Sequence, residues 1–432
     1  MPSASIHDAI VVGAGPAGAT AARRLATAGI RTLLIDRATF PRYKACGGAI
    51  TARVLARFPY LRLALERIST HWISKLVLQG PSGQSAELRS NGPAVLTIRR
   101  VEFDALLVSL ARQAGVELLE GTEIHDAREA ADGVRLCTRD GRTFEARVVI
   151  AADGVHGVVA KRLGLSSAWP REHLAVDLME ETPNTTLRAI DREALWVSYG
   201  FPAARAGGPR GLTDGYAYVF PKQAHVNVGI GYLSNRYRTR YRGNAYELHQ
   251  GLIERLTRER VIEGTSSRRH FTPFVIPVGG PIRRTGTART LVAGDAGGFV
   301  NGFSAEGIYY AMVSGDLAAA SVAETLARRT PADVCYRERW NAEIGAELAE
   351  SVVLQRLLFE DARKIDALVD ASAKRKSLVD VVTRWARGLE TYTALRRQIA
   401  LRNPLVGIVF GALLLQKRFA ATRAAVFQSE HS

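Results

Sequence analysis

AIVVGAGPAGATAARRLATAGIRTLLID, residues 9 to 36, decides the fold of this 432-residue chain. Ala9, Ile10, Val11 and Val12 form a short apolar run, the pattern of a parallel strand buried on both faces. Gly13 then permits a tight turn, Gly15 lets the backbone approach a pyrophosphate, and Gly18 allows close contact between strand and helix. A helix running through Leu25 to about Ala28 aims its N-terminal amides and its dipole at the phosphates. A second strand, residues 31 to 35, ends on Asp36, whose carboxylate is placed to accept hydrogen bonds from a ribose. Ala17, inside the turn, and Arg37, beside the acid, complete this group of candidate cofactor contacts.

Two later phrases answer the first. AADG closes at Asp153 and Gly154, and LVAGDAGGFVNGFSAEGI runs from Leu291 to Ile308. In this order the three describe a chain that wraps a whole dinucleotide, and FAD is the expected cofactor, bound noncovalently. Asp295 is expected to accept from ribityl or ribose hydroxyls, with a helix N-cap as the alternative. Gly307 and Ile308 fall at a helix start, where backbone amides can polarise the N1–C2 carbonyl region of a flavin. Glu306 is a candidate cap for the same helix and is not read as catalytic.

Composition limits the alternatives. Hydrophobic residues at 47% and charged residues at 23% fit a globular protein with a large core. Cys46, Cys137 and Cys335 are too few and too scattered for a disulfide framework, and no CxxC pair marks a zinc or iron–sulfur site, so no metal is expected. No basic-then-apolar leader precedes the fingerprint, and the longest uncharged apolar stretch, residues 404 to 415, is about half of a bilayer span. The expected setting is the reducing cytoplasm, with peripheral association at the inner membrane face as an option. The net charge is +16, and half of that excess lies after residue 370, where eleven basic residues face three acidic ones. No nucleic-acid recognition motif accompanies the charge, so nucleic acid is not an expected partner. An anionic membrane surface or a diphosphate-bearing substrate fits the basic run beside its apolar segment, and a solvated basic face is the competing reading.

Along the chain, an α/β pattern with a Rossmann-like FAD-binding domain is expected over residues 1–165 and 276–331. Residues 166–275 lose the βαβ rhythm and become strand-rich, as in GYAYVFPKQAHVNVGIGYL between Gly215 and Leu233, so an inserted antiparallel β-sheet substrate domain is expected there, joined by segment 76–99. Tyr216, Tyr218 and Phe220 alternate onto one face of that sheet. Residues 332–432 are helical in pattern and are expected to form a C-terminal cap or tail.

The segment FPRYKACGGAIT, residues 40 to 51, narrows the class. Pro41, Lys44, Cys46, Gly47 and Gly48 match the PxxKxCGG loop of the geranylgeranyl reductase family, and the chain resembles that group of FAD-dependent, p-hydroxybenzoate hydroxylase-like flavoproteins. YAYVFPK at residues 216 to 222 resembles the family's YxWxFPK phrase, with Tyr218 in place of tryptophan. The resemblance spans roughly residues 8 to 330. It implies reduction of isolated double bonds in a polyprenyl lipid by reduced FAD, with NADPH or ferredoxin as the electron donor, because no second GxGxxG marks a nicotinamide domain. It places Gly47 and Gly48 near the flavin and makes Cys46, Tyr216 and Tyr218 the catalytic candidates. Cys46 is read as a proton relay, a flavin contact or a tuner of its potential, against the alternative of a small buried hydrophobe. Lys44 is read as solvent-exposed or as a phosphate ligand. Arg100, preceding FDALL, resembles the arginine that meets the pyrophosphate in related flavoproteins, whereas Arg99 is expected to face solvent.

The chemistry fits those parts. An unactivated alkene has no carbonyl to accept charge, so hydride delivery needs a proton arriving at the adjacent carbon, in a dry site whose aromatic faces stabilise cationic character. A flavin monooxygenase or halogenase shares the glycine and GD phrases, but the WxWxIP phrase usual in halogenases is missing and hydroxylases commonly lack PxxKxCGG. A non-redox isoprenoid cyclase that uses FAD as a structural or electrostatic aid is the rival from another class.

Overall fold

A computed structural model describes residues 6–200, 215–240, 244–328 and 330–402. Its first sheet, seven-stranded among the described residues, has the strand His7–Val12 at its centre, flanked by Thr32–Ile35 and Thr143–Ala151, both parallel to it. Glu117–Leu119 extends the sheet on one side, and Thr290–Val292 pairs in parallel with the end of Thr143–Ala151. The hairpin Ile124–Glu129 and Val134–Thr138 continues it in antiparallel fashion. Strands buried on both faces need helices above and below. Helix Pro16–Thr27, made of small residues, lies against helix Ile308–Arg328 so closely that a Cβ on Gly315 would sit 2.1 Å from the Ala17 carbonyl oxygen. That approach joins the first glycine phrase to the last, 280 residues downstream.

The second sheet, also seven-stranded among the described residues, runs Phe271–Pro277, Leu174–Pro183, His225–Leu233, Gly215–Pro221, Ala194–Tyr199, Lys75–Gln79, Ser85–Arg89. It is antiparallel except where Ala194–Tyr199 lies parallel to Lys75–Gln79. One face carries Leu178, Ala217, Val219, Val228 and Ile230 against helix Ala245–Arg258, whose Leu252 and Leu256 are fully buried. The opposite face turns towards the first sheet. There Tyr218 pairs across to Gly229 and Met179, while Tyr216 pairs across to Gly231, Asp177 and Phe274. The two glycines leave room above the central strand, and the Tyr218 ring takes it: a Cβ on Gly229 would lie 2.4 Å from its hydroxyl.

Beyond residue 331 the described chain is helical through Arg402. These helices cover the second sheet's edge, with Phe359, Ile365 and Val369 packed on Ala86 and Tyr199. Part of the basic charge after residue 370 is engaged within the molecule: Arg384 pairs with Glu390, Arg396 with the buried Glu350, and Arg387 donates to the Asn91 carbonyl. The apolar stretch 404–415 and the last three cations lie outside the described residues. No helix among the described residues is long and apolar enough to cross a membrane.

Candidate active site

One cavity of about 1180 Å³ opens between the two sheets and continues beneath the C-terminal helices. It is larger than the ~300–1,000 Å³ of common small-ligand pockets. Gly13, Gly15, Ala17, Asp36 and Arg37 border one end of it. Gly47, Gly48, Arg100, Asp153, Gly154, Asp295, Gly307 and Ile308 follow along its wall, and Cys46, Tyr216 and Tyr218 face its middle. Gly18 is the exception among the expected contacts. It lies beneath the turn, where a Cβ would stand 1.7 Å from the Gly13 carbonyl oxygen.

The glycine end has the shape of a phosphate cradle. Gly13 has a φ of +97°, a conformation that side chains disfavour, and its missing Cβ makes room for the Ala152 carbonyl. Gly15 faces open space, with only an Arg42 nitrogen 3.7 Å from where a Cβ would stand. Asp36 accepts from the amides of Ala14 at 2.6 Å and Ala38 at 2.8 Å, which fixes its carboxylate at the end of its strand. Arg37 is exposed on the rim, 3.8 Å from Glu123.

The arginines are organised by one fully buried acid. Asp104 holds Arg100 through two 2.7 Å hydrogen bonds and Arg42 through a 3.0 Å contact. Burial opposes charge on Arg100, and Asp104 more than offsets it, so that guanidinium stays cationic. Arg42 Nη1 is buried with no hydrogen-bond partner. An orphaned guanidinium nitrogen beside an open glycine turn fits a pyrophosphate, and on this observation the residues present fit FAD. Arg42 is a site residue that no motif spacing marks; its one signal is its place in the loop at residues 40 to 51.

Several expectations change in detail. Asp153 turns one carboxylate oxygen inward, where it accepts from the amides of Val158 at 2.7 Å and Val159 at 3.1 Å, and leaves the other buried and unpartnered. Glu306 caps no helix: it accepts from the amide and hydroxyl of Thr51 and from Arg53. Lys44 is not free in solvent: its ammonium stands 3.1 Å from the Phe274 ring centroid and donates to the Ala45 carbonyl at 3.3 Å. Burial, then the charge of Arg100, lowers its pKa to about 8. Arg99 is not solvated either; it pairs with Glu102 and with the buried Glu181, which also binds the buried Lys222. A charge pattern alone cannot tell a solvated arginine from one that closes an ion-pair cluster.

At the middle of the cavity the aromatic rings form a wall. Tyr218 stands 4.5 Å from Phe220 and 6.2 Å from Tyr216 between centroids. Gly47 lies against this wall, with its absent Cβ 2.9 Å from the Phe220 ring. The Cys46 sulfur accepts from the Gly48 amide at 3.4 Å. The Tyr216 hydroxyl donates to the Ser304 carbonyl at 2.6 Å, while that of Tyr218 donates to Asp177 at 3.0 Å. Asp177 was not singled out in the sequence. Burial pushes its carboxyl up to about 6, against the lowering influence of Tyr218 and Lys44. No cluster of three or more His, Cys, Asp or Glu side chains among the described residues is arranged to hold a metal.

Known proteins resemble this chain in sequence and in fold. Menaquinone reductase of Mycobacterium tuberculosis is 29% identical over 363 residues, covering 81% of this chain and 85% of that protein. Digeranylgeranylglycerophospholipid reductase of Methanococcus aeolicus is 25% identical over 388 residues, with coverage of 87% and 93%. The crystal structure of a geranylgeranyl bacteriochlorophyll reductase-like protein from Thermoplasma acidophilum matches the fold with a TM-score of 0.73 at 20% identity, covering 91% of this chain and 98% of that one. A flavin-dependent brominase matches it at 0.70 and 16% identity, covering 93% and 98%, so the fold alone does not select the reaction. A family model described as an FAD binding domain matches residues 7–229, just over half of the chain. Joined to a cradle whose glycines, acid and orphaned arginine suit a dinucleotide, that match makes the chain a member of the FAD-binding domain family and an FAD-dependent oxidoreductase.

Proposed function

We propose that this protein reduces isolated carbon–carbon double bonds in a polyprenyl lipid. The observation that carries the reading is the cavity's apolar arm. From the aromatic wall it continues past Leu78, Leu88 and Val197 to Leu354, Leu368 and Val379 of the C-terminal helices. Each methylene removed from water is worth about 0.8 kcal/mol, so a few isoprene units supply binding without a polar headgroup. Residues 166–275, strands 75–89 and the C-terminal helices together would form the substrate module, and the parallel sheet with its glycine phrases the cofactor module.

When bound, reduced FAD supplies hydride. The chain's own residues bind, orient and exclude water. Gly13, Gly15, Arg42 and Arg100 would hold the pyrophosphate, Asp36 and Asp295 the ribose and ribityl hydroxyls, and Gly307 and Ile308 the flavin carbonyl edge. Tyr216, Tyr218 and Phe220 present π faces that favour positive character on the substrate. Cys46 and Gly47 would fix how deeply the ring and the alkene approach each other. The electron donor would be NADPH or ferredoxin, docking transiently.

The relatives named as reductases support this reading, and the likeness to a brominase supplies the competing one. Enzyme photoreduced without oxygen and mixed with a digeranylgeranyl phospholipid separates them. Mass spectrometry should find lipid that has gained a pair of hydrogens per reduced bond. Unaltered lipid, with turnover only once oxygen is admitted, would instead indicate an oxygen-dependent enzyme.

A further inference from the structure

Among the described residues of the second sheet, Asp177 is the one carboxyl that lines the cavity, and it stands among aromatic rings. Asp177 sits in the central part of Leu174–Pro183 and is 5% exposed. Its Oδ2 accepts from the Tyr218 hydroxyl at 3.0 Å, and its Oδ1 is buried with no hydrogen-bond partner. Leaving a carboxylate oxygen unpaired out of water is costly, and a proton on that oxygen removes the cost. The tyrosine therefore selects which oxygen stays free.

From this placement we propose that Asp177 is the proton donor of the reductive step, with the acid proton on Oδ1 and Tyr218 as the positioning residue that holds Oδ2. This rests on the prenyl-reduction reading above and names its missing acid. The Oδ1–H bond breaks, its proton forms a C–H bond with the alkene π pair, and hydride from the FAD reductant closes the neighbouring carbon. The O–H electron pair stays on Asp177 as carboxylate, and water later returns the proton. The alkene is reduced and the flavin oxidised.

The surroundings suit both protonation states. Tyr218 and Tyr216 face Asp177 from Gly215–Pro221, and Phe274 lies directly across on Phe271–Pro277. Lys44, stacked on Phe274, and Cys46 approach from the loop on the opposite wall. Burial favours the acid before the step, and the Tyr218 hydroxyl with the Lys44 ammonium favours the carboxylate after it. Cys46 is occupied differently, as an acceptor from the Gly48 amide.

Asp177→Asn in the purified holoprotein tests the proposal, because the amide keeps the shape and an acceptor for Tyr218 but carries no acid proton. Infrared difference spectra of wild type should show a carboxylic acid band titrating near pH 6 that is missing in Asp177→Asn. With FAD content and dithionite reduction unchanged, anaerobic single-turnover reoxidation by a geranylgeranyl lipid should fall about a hundredfold or more, the range of general acid catalysis. Should that variant not fold, Tyr218→Phe tests the same pair. Its lost hydrogen bond should raise the pH midpoint below which the rate is high, and an unmoved midpoint overturns the assignment. Reoxidation by Asp177→Asn within twofold of wild type overturns the proton donor and leaves prenyl reduction standing. Wild-type flavin that stays reduced with every prenyl lipid overturns both.

Discussion

The glycine cradle and the aromatic wall face each other across one cavity, yet they are built in opposite ways. The cradle is mostly backbone: a positive φ at Gly13, a close approach at Gly18 and a carboxylate at a strand end, all within 28 consecutive residues. The wall is mostly side chain, assembled from one hairpin, two further strands and a loop spread between residues 44 and 277, with Gly229 and Gly231 supplying the space. A cofactor that must be gripped through its phosphates demands backbone amides at fixed positions. A variable apolar substrate demands only volume and the right surface.

Damage to the two regions should therefore separate. The largest effect is expected from Gly15→Asp. Its Cβ meets nothing closer than Arg42 at 3.7 Å, so the protein should fold, while a carboxylate beside the pyrophosphate costs several kcal/mol, about a hundredfold or more in FAD affinity. Protein purified with its yellow flavin at full stoichiometry would place the pyrophosphate elsewhere.

Next in size is the joint between the regions. Glu181, on the wall's strand, binds buried Lys222 and Arg99, the residue that precedes helix Arg100–Gln113 of the cradle. Burial opposes its charge, but Lys222 and Arg99 outweigh burial and hold its carboxyl below the ordinary value. Stability from this cluster should be present above the unfolded-state pKa and be lost as pH falls through the depressed folded value. Glu181→Gln leaves the buried Lys222 ammonium without its carboxylate partner and should cost about 3 kcal/mol at neutral pH. Urea denaturation across pH reads both, and a variant as stable as wild type at neutral pH would show the cluster to be ornamental.

The smallest effect is expected in the arm. Leu354→Trp fills part of the lipid path, and about a tenfold rise in KM for a long prenyl substrate, near 1.4 kcal/mol, should appear with FAD affinity untouched. Equal KM values for short and long prenyl chains in that variant would move the lipid path away from the C-terminal helices.

The same contrast explains what was legible in the sequence. Gly13 and Gly18 announce their roles because the fold permits almost nothing else at those positions, and Gly15 and Asp36 do so by their spacing from them. The alternation of Tyr216, Tyr218 and Phe220 marked a face, but Asp177 became visible only when the register across Gly231 set it opposite Tyr216. Lys44, Arg99 and Glu306 take surroundings that local sequence cannot supply: an aromatic ring from residue 274, a glutamate from residue 181, and a threonine from residue 51. The C-terminal helices read as a cap by their apolar spacing, whereas their share in lining the cavity depends on packing against the distant strands Lys75–Gln79 and Ser85–Arg89.

Anaerobic stopped-flow absorbance of the photoreduced enzyme tests the central claim most directly. Mixing with a geranylgeranyl lipid should restore the oxidised flavin spectrum in strict absence of oxygen, at a rate that rises with lipid concentration and then saturates. A flavin that stays reduced until oxygen is admitted, whatever prenyl lipid is offered, would contradict it.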